Sequence, residues 1–175
     1  MKAHSFIYLI IYSCFIMSVS LQAQEHFADR YNVSYITMDD GLPHNFIDDI
    51  YKDTRGFLWI STAGGGLSRY DGYEFIHFNP NTPHSKLKSN FIHNVYEDRF
   101  HRLWIVSEGG TDIIDLSTLQ SVIPNDPKGL LPRFINHPTY IVILDSQGCI
   151  WLQCDNALHR ITFDAEGGID TLSTL

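Results

Sequence analysis

The residues best suited to chemistry in this chain are acidic. Asp39–Asp40 and Asp48–Asp49 are adjacent pairs, and Asp53, Asp98 and Asp145 each stand six residues before a tryptophan, Trp59, Trp104 and Trp151. Two carboxylates can act as an acid and base couple when they converge on one bond. Neighbouring residues of a strand point to opposite faces, so neither adjacent pair converges. Solvated or turn positions are the expectation for them. The single aspartates fit a different task, because an Asp side chain can accept backbone N–H bonds across a turn. Nine histidines are present, but no His/Cys pair has zinc-finger spacing. Nucleophile-elbow and phosphate-loop patterns are absent from the sequence. These residue types predict no enzyme, no cofactor and no metal.

The elements that must hold the aspartates follow from self-comparison. The tryptophans are 45 and 47 residues apart. "NFIDDIYKD" at 45–53 aligns without gaps to "NFIHNVYED" at 90–98, and "PTYIVILD" at 138–145 keeps the apolar positions and the Asp. Each copy contains short aromatic and β-branched runs separated by turn residues. In the first copy these are Phe46–Lys52, Phe57–Thr62, Leu67–Tyr70 and Tyr73–Phe78, with "DG" at 71–72 as a two-residue hairpin signal. Ile47, Ile50 and Tyr51 have helical spacing, but the segment is short and bounded by turns, so a strand is predicted. Four antiparallel strands per repeat of about 45 residues is the blade of a β-propeller. The fold class is therefore all-β, with about three four-stranded blades in an incomplete propeller. Gly56 and Gly148 suit a left-handed position in the first hairpin of a blade, where His101 stands in the second copy. Each tryptophan opens a second strand and is expected to pack between blades.

The chain has 175 residues and a formal net charge of −8. Its basic residues are scattered, the densest group being "SKLKS" at 85–89. An acidic chain without a basic stripe is a poor nucleic-acid binder. Lys2, the apolar run Phe6–Val19 and the small Ala23 form a secretory signal pattern over 1–23. The apolar run is too short for the ~20 residues that span a bilayer. Cys14 lies inside it, so Cys149 and Cys154 are the cysteines of the exported chain. Five residues of strand carry the chain about 16 Å, and bridged Cα atoms lie within about 7 Å, so two packed thiols are expected. The domain reading is a signal peptide at 1–23, an N-terminal strand segment at 24–38 and a partial propeller at 39–175, with blades about 39–80, 88–125 and 133–173. The strand around Tyr31–Met38 has no counterpart within the repeat, and is expected to complete the last blade of a closed ring.

"DGLPHNFIDDIYKDTRGFLWISTAGGGLSRYDGYEFIHF" closely resembles the two-component regulator propeller repeat. The resemblance covers 39–80 nearly completely, 88–116 well and 133–163 in part. Ser61 and Val106 stand where the family usually has Gly after "WI", and "WLQCDNAL" departs further. The resemblance implies the periplasmic sensor of a hybrid two-component system, notably one for complex carbohydrates. In the family a β-sandwich, a membrane helix, a kinase, a receiver and a DNA-binding domain follow, so this chain is read as the start of such a sensor, a fragment lacking the kinase. A sialidase box also sets Asp before Gly and an aromatic, but with one intervening residue rather than two.

The structural motif is Asp53, Gly56 and Trp59 in the first copy, Asp98 and Trp104 in the second, and Asp145, Gly148 and Trp151 in the third. In propellers the loops between blades share one face with those joining second and third strands. His44, His84, Lys86 and Arg133 are the candidate ligand contacts there, and an oligosaccharide is the candidate ligand. Asn45 and Asn90 are read as ties at the entry to a first strand. The other partner expected is the remaining blades or another copy of the chain, since three blades leave two outer faces open. An exported, periplasmic location is expected, with no membrane span after cleavage. The alternative function is a structural or protein-interaction propeller module without a small ligand.

Overall fold

A computed structural model describes residues 33–83 and 86–175, apart from the side chain of Arg133. The signal-peptide reading at 1–23 lies outside the described residues. The chain divides into a unit at 1–36 and a unit at 37–175. The described part of the first unit, residues 33–36, contains no strand.

In the second unit each repeat becomes one antiparallel sheet with its strands in chain order. The first sheet holds β1 (Ile47–Lys52), β2 (Leu58–Thr62), β3 (Gly66–Tyr70) and β4 (Phe75–Phe78). The second holds β5 (Ile92–Glu97), β6 (Arg102–Ser107) and β7 (Gly110–Asp115). The third holds β8 (Thr139–Leu144), β9 (Ile150–Cys154), β10 (Ala157–Phe163) and β11 (Ile169–Thr174). A one-turn helix, α1 (Pro132–Ile135), precedes the third sheet. The strand prediction over Ile47–Tyr51 holds against its helical spacing.

The second sheet has three strands where four were expected. Its outer strand shrinks to one bridge, Ile114 to Ser121, with Val122 N–H donating to the Ile113 carbonyl at 2.9 Å. Pro124 and Pro127 follow at once, and a proline has no N–H to extend a ladder. Two further expectations change. The segment Tyr31–Met38 is not a strand over its described part: Thr37 and Asp40 form a capping box that turns Met38–Asp40 into a 3-10 helix. The "DG" hairpin is a four-residue loop, and β4 starts at Phe75 rather than Tyr73. Asp71 accepts Tyr73 and Glu74 N–H at 2.8 Å each, which closes the wider turn.

Sheet stacking makes the core. Trp59, Leu67 and Phe78 on one face of the first sheet pack with Val95, Leu103, Ile105 and Ile114 on the reverse face of the second. Trp104, Val106 and Ile113 then pack with Val142, Ile150, Leu152 and Ile161 of the third, and Leu131 and Phe134 from around α1 join that cluster. The first strands β1, β5 and β8 lie side by side. Each carries a register shift at one residue: Asp48, His93 and Tyr140. Such a bulge re-aims the strand and its free groups.

Candidate functional site

The repeated aspartate is a clip at the first hairpin of each sheet. Asp53 accepts the N–H of Arg55 and Phe57 through Oδ1, and the Trp59 indole N–H through Oδ2 at 2.8 Å. Asp98 does the same with Phe100, Arg102 and Trp104, and Asp145 with Gln147, Cys149 and Trp151. A carboxylate satisfied by three donors favours its ionised form. Asp145 is accordingly held down to about 2, first by the Cys149 N–H and then by the Trp151 indole. Gly56 (φ 95°) and Gly148 (φ 77°) take the left-handed position of the hairpin, and His101 takes it at φ 58°.

Three further sets of bonds join the sheets. On the inner strands, Asp49 Oδ2 accepts Val95 N–H at 3.1 Å and the Asn94 amide at 2.9 Å, and Asn94 Oδ1 accepts Val142 N–H at 3.0 Å. Asp49 is thus not the solvated residue expected of it. Its strand partner Asp48 is exposed. At the hairpins, the buried Glu97 carboxylate accepts the Thr54 N–H at 2.7 Å and hydroxyl at 2.6 Å, and pairs with His101 Nδ1 at 2.9 Å. Burial pushes Glu97 up, but the bonds from Thr54 and His101 outweigh it and hold the carboxyl below its ordinary value. Arginines complete the set: Arg55 donates to the Leu116 carbonyl, Arg99 to those of Phe163 and Asp164, and Arg102 to that of Gly167. Arg102 also forms a buried ion pair with Asp98 at 2.7 Å.

The glycine turns after the tryptophan strands abut the loops that enter each sheet. A Cβ at Gly65 would meet Pro43, one at Gly109 would meet Lys88, and one at Gly110 would meet the Ile135 carbonyl. The two loop sets therefore share one face, as propeller geometry predicts. His44 is exposed there, with Nδ1 accepting the Phe46 N–H at 2.9 Å. Lys86 is exposed and borders a depression of roughly 270 Å3 along the open edge of β7, with Lys88, Asp112 and Ile123. Lys88 caps that edge: its ammonium donates to the Thr111 carbonyl at 2.7 Å and pairs with Asp112 at 3.5 Å. Burial lowers the Lys88 ammonium and raises the Asp112 carboxyl. His84 and the Arg133 side chain lie outside the described residues, so only His44 and Lys86 of the four candidates are placed. Asn45 Oδ1 accepts the Met38 N–H at 3.0 Å, a tie at the strand entry. Asn90 instead uses its backbone carbonyl, which accepts the Gly66 N–H. Cys149 and Cys154 are both buried, with no disulfide between them.

The sequence reading missed Asp49, Asn94, Thr54 and Glu97 as intersheet residues. A signal existed in Asn94, a polar residue standing in the inner strand where Val95 follows it.

Residues 41–64 and 86–109 match the two component regulator propeller family. The fold these repeats build is that of propeller domains. The extracellular domain of BT3049 of B. thetaiotaomicron, described as a hybrid two component system, superposes with a TM-score of 0.62 at 21% identity, over 80% of this chain and 19% of that one. The extracellular domain of BT4673 of B. thetaiotaomicron, described as a one component system, gives 0.57 at 24% identity, over 75% and 19%. The chain spans about a fifth of the length of these structures. No curated protein matches it. The chain carries two segments that match the repeat of the two-component regulator propeller family, and it shares the fold of these extracellular domains. Among the described residues no helix is long and apolar enough to cross a membrane.

Proposed function

We propose that this chain is a segment of an extracytoplasmic sensor propeller, exported to the periplasm, which takes a carbohydrate on the face where its entry loops and glycine turns meet. The observation that carries the reading is the pair of repeat matches at 41–64 and 86–109, each of which runs from the entry loop into the glycine turn of one sheet. The names of the structural neighbours as extracellular domains of signalling systems support the same class. On that face His44 and Lys86 are exposed polar side chains, and the Phe46 N–H ties the His44 ring to its own loop, which suits hydroxyl and carboxylate recognition. The aspartates have a positioning role, since every Asp of the repeat is occupied by its own hairpin and indole, so substrate chemistry is not assigned to them.

Isothermal titration of the chain against a panel of defined oligosaccharides tests this. Saturable binding, weakened about tenfold by Lys86→Ala or His44→Ala, is expected, the loss of one good polar contact. Titration that shows no saturable heat with any member of the panel would favour the alternative, a propeller module that contacts only protein.

A further inference from the structure

We infer that the outer edge of β7 is a docking groove for an extended, acidic segment of a partner protein, which adds itself there as the missing fourth strand of the second sheet. The inference does not rest on the carbohydrate reading.

In the first and third sheets the place beside the third strand is filled, by β4 along β3 and by β11 along β10. In the second sheet it is half filled. The Asp115 N–H donates to the Gln120 carbonyl at 3.0 Å, and the Ile113 carbonyl accepts from Val122 at 2.9 Å. Pro124 then follows and the pairing stops. These bonds show which groups of β7 point away from β6. In an antiparallel ladder the N–H and C=O of one residue point to the same side, and alternate residues face the same neighbour. Thr111 and Ile113 therefore turn theirs outward with Asp115. Both of their carbonyls are taken, that of Ile113 by Val122 and that of Thr111 by the Lys88 ammonium at 2.7 Å. Neither outward N–H has an acceptor among the described residues. Yet Thr111 and Ile113 are only 1% and 4% exposed, and a buried N–H without a partner is rare in a folded chain.

An occupant must therefore bring acceptors. The two N–H groups stand two residues apart on a strand, about 7 Å at ~3.4 Å per residue. That is the spacing of alternate carbonyls in an extended peptide, and it is too wide for the two oxygens of one carboxylate. Strand addition to a sheet edge supplies such carbonyls. The depression beside this edge offers the side chains of an added strand apolar walls in Val122, Ile123 and Ile135. Its charge sets the preference. Lys86 and Lys88 border it together with Asp112, and the Asp112 carboxylate is occupied by Lys88, through the backbone N–H at 2.9 Å and the ammonium at 3.5 Å. The exposed Lys86 ammonium is left in excess, which favours an acidic strand. The groove belongs to the rim. Both faces of the second sheet are covered by its neighbours, and sheets that precede or follow in a ring stack on the faces of the first and third, so they leave this edge as it is.

The probe is a capped pentapeptide of alternating valine and glutamate, added to the isotope-labelled chain and followed by NMR. Saturable binding is expected, with slowed exchange of the Thr111 and Ile113 amide protons. No change is expected at Asp112 and Ile114, whose N–H groups already bond to β6. The same peptide with lysine in place of glutamate should bind at least about tenfold more weakly. Ile123 is 72% exposed, so Ile123→Asp keeps the fold while it removes an apolar wall and sets a carboxylate in the groove. That variant should bind the acidic peptide at least about tenfold more weakly. A circular dichroism melt checks its fold, and the exchange measurement on the wild-type chain stands without it. Absence of saturable binding by the acidic peptide overturns the inference. So do equal affinities for the two peptides, an Ile123→Asp protein that is folded and binds as the wild type does, and slowed exchange on β4 or β11 instead of β7. The same response to sodium acetate alone overturns it by making the occupant a free anion. Thr111 and Ile113 amide protons that are already as protected in the free chain as those of Asp112 and Ile114 overturn it too, because the edge would then be covered by the chain itself.

Discussion

Asn94 joins three sheets at once: its amide nitrogen donates to Asp49 on β1 at 2.9 Å, and its oxygen accepts the Val142 N–H of β8 at 3.0 Å. Neighbouring inner strands of a propeller do not share a ladder, so the N–H groups freed at each bulge need other acceptors. Position 49 or 94 of one sheet supplies it to the following sheet. In the third copy the corresponding residue is Ile141, which has no acceptor.

Asn94→Ala should therefore destabilise the fold by about 1–3 kcal/mol, since it strands a buried N–H and half of the Asp49 carboxylate's partners. Asn94→Asp keeps the acceptor for Val142 but sets a second carboxylate against Asp49. That variant should be unstable at neutral pH and recover as the pH falls. Urea midpoints at two pH values measure both, and an unchanged midpoint for Asn94→Ala would remove the role assigned to the relay.

The clips are not equivalent. Asp53→Ala loses two turn bonds and the indole bond, an effect of about 2–3 kcal/mol. Asp98→Ala loses the same three and also leaves the buried Arg102 guanidinium unpaired. Removing one partner of a buried pair typically destabilises by about 3–5 kcal/mol, so Asp98→Ala should be the worse variant. Asp98→Ala together with Arg102→Met should recover part of the loss. Equal urea midpoints for the two alanine variants would refute the difference.

The repeat was legible because one bond fixes it. An indole N–H can reach the Asp of the same hairpin only at one offset, so Asp and Trp recur six residues apart and the sheet order follows. The strands and the left-handed His101 followed from the same alignment. The missing strand of the second sheet was less visible. Its cause, Pro124 and Pro127, lies past the part of the copy that matches the repeat well. The intersheet bonds were barely legible, Asn94 alone standing out as a polar residue in an inner strand. Thr54 meets Glu97 and Asp49 meets Val95 only after sheets stack, and the bulge that aims those groups shows in the sequence only as the helix-like spacing of Ile47 and Ile50, which says nothing of a partner. The ligand face is legible as loops, but which exposed side chain touches a ligand is set by the ligand.

Acid should affect the third clip late. The Asp145 carboxyl sits at about 2 in the folded chain against an ordinary 3.8. A group whose folded value is depressed contributes stability in full above its unfolded value and loses it as the pH falls through the folded one. The window for Asp145 is thus about pH 4 down to 2. Carbon NMR of the carboxyl gives the titration directly, and Trp151 fluorescence should change with it, since Oδ2 holds the indole. A midpoint near 4 would show that the three donors do not hold the anion.

Glycine substitutions separate backbone conformation from crowding. Gly56 has φ 95° and open space where a Cβ would go, so Gly56→Ala suffers only the left-handed penalty, about 1–2 kcal/mol. Gly110 has φ 115°, and a Cβ there would collide with the Ile135 carbonyl at the end of α1. The obstacle is backbone, which cannot rotate away, so Gly110→Ala should destabilise by about 3 kcal/mol or more, in the range of strong overpacking. His101→Gly is the reverse experiment. It relieves a non-glycine residue at φ 58° but removes the Nδ1 bond to Glu97, so the two effects nearly cancel, to within about 1 kcal/mol. The expected order of urea midpoints is wild type close to His101→Gly, then Gly56→Ala, then Gly110→Ala. A Gly110→Ala protein as stable as Gly56→Ala would mean that α1 is free to move off the β6–β7 turn.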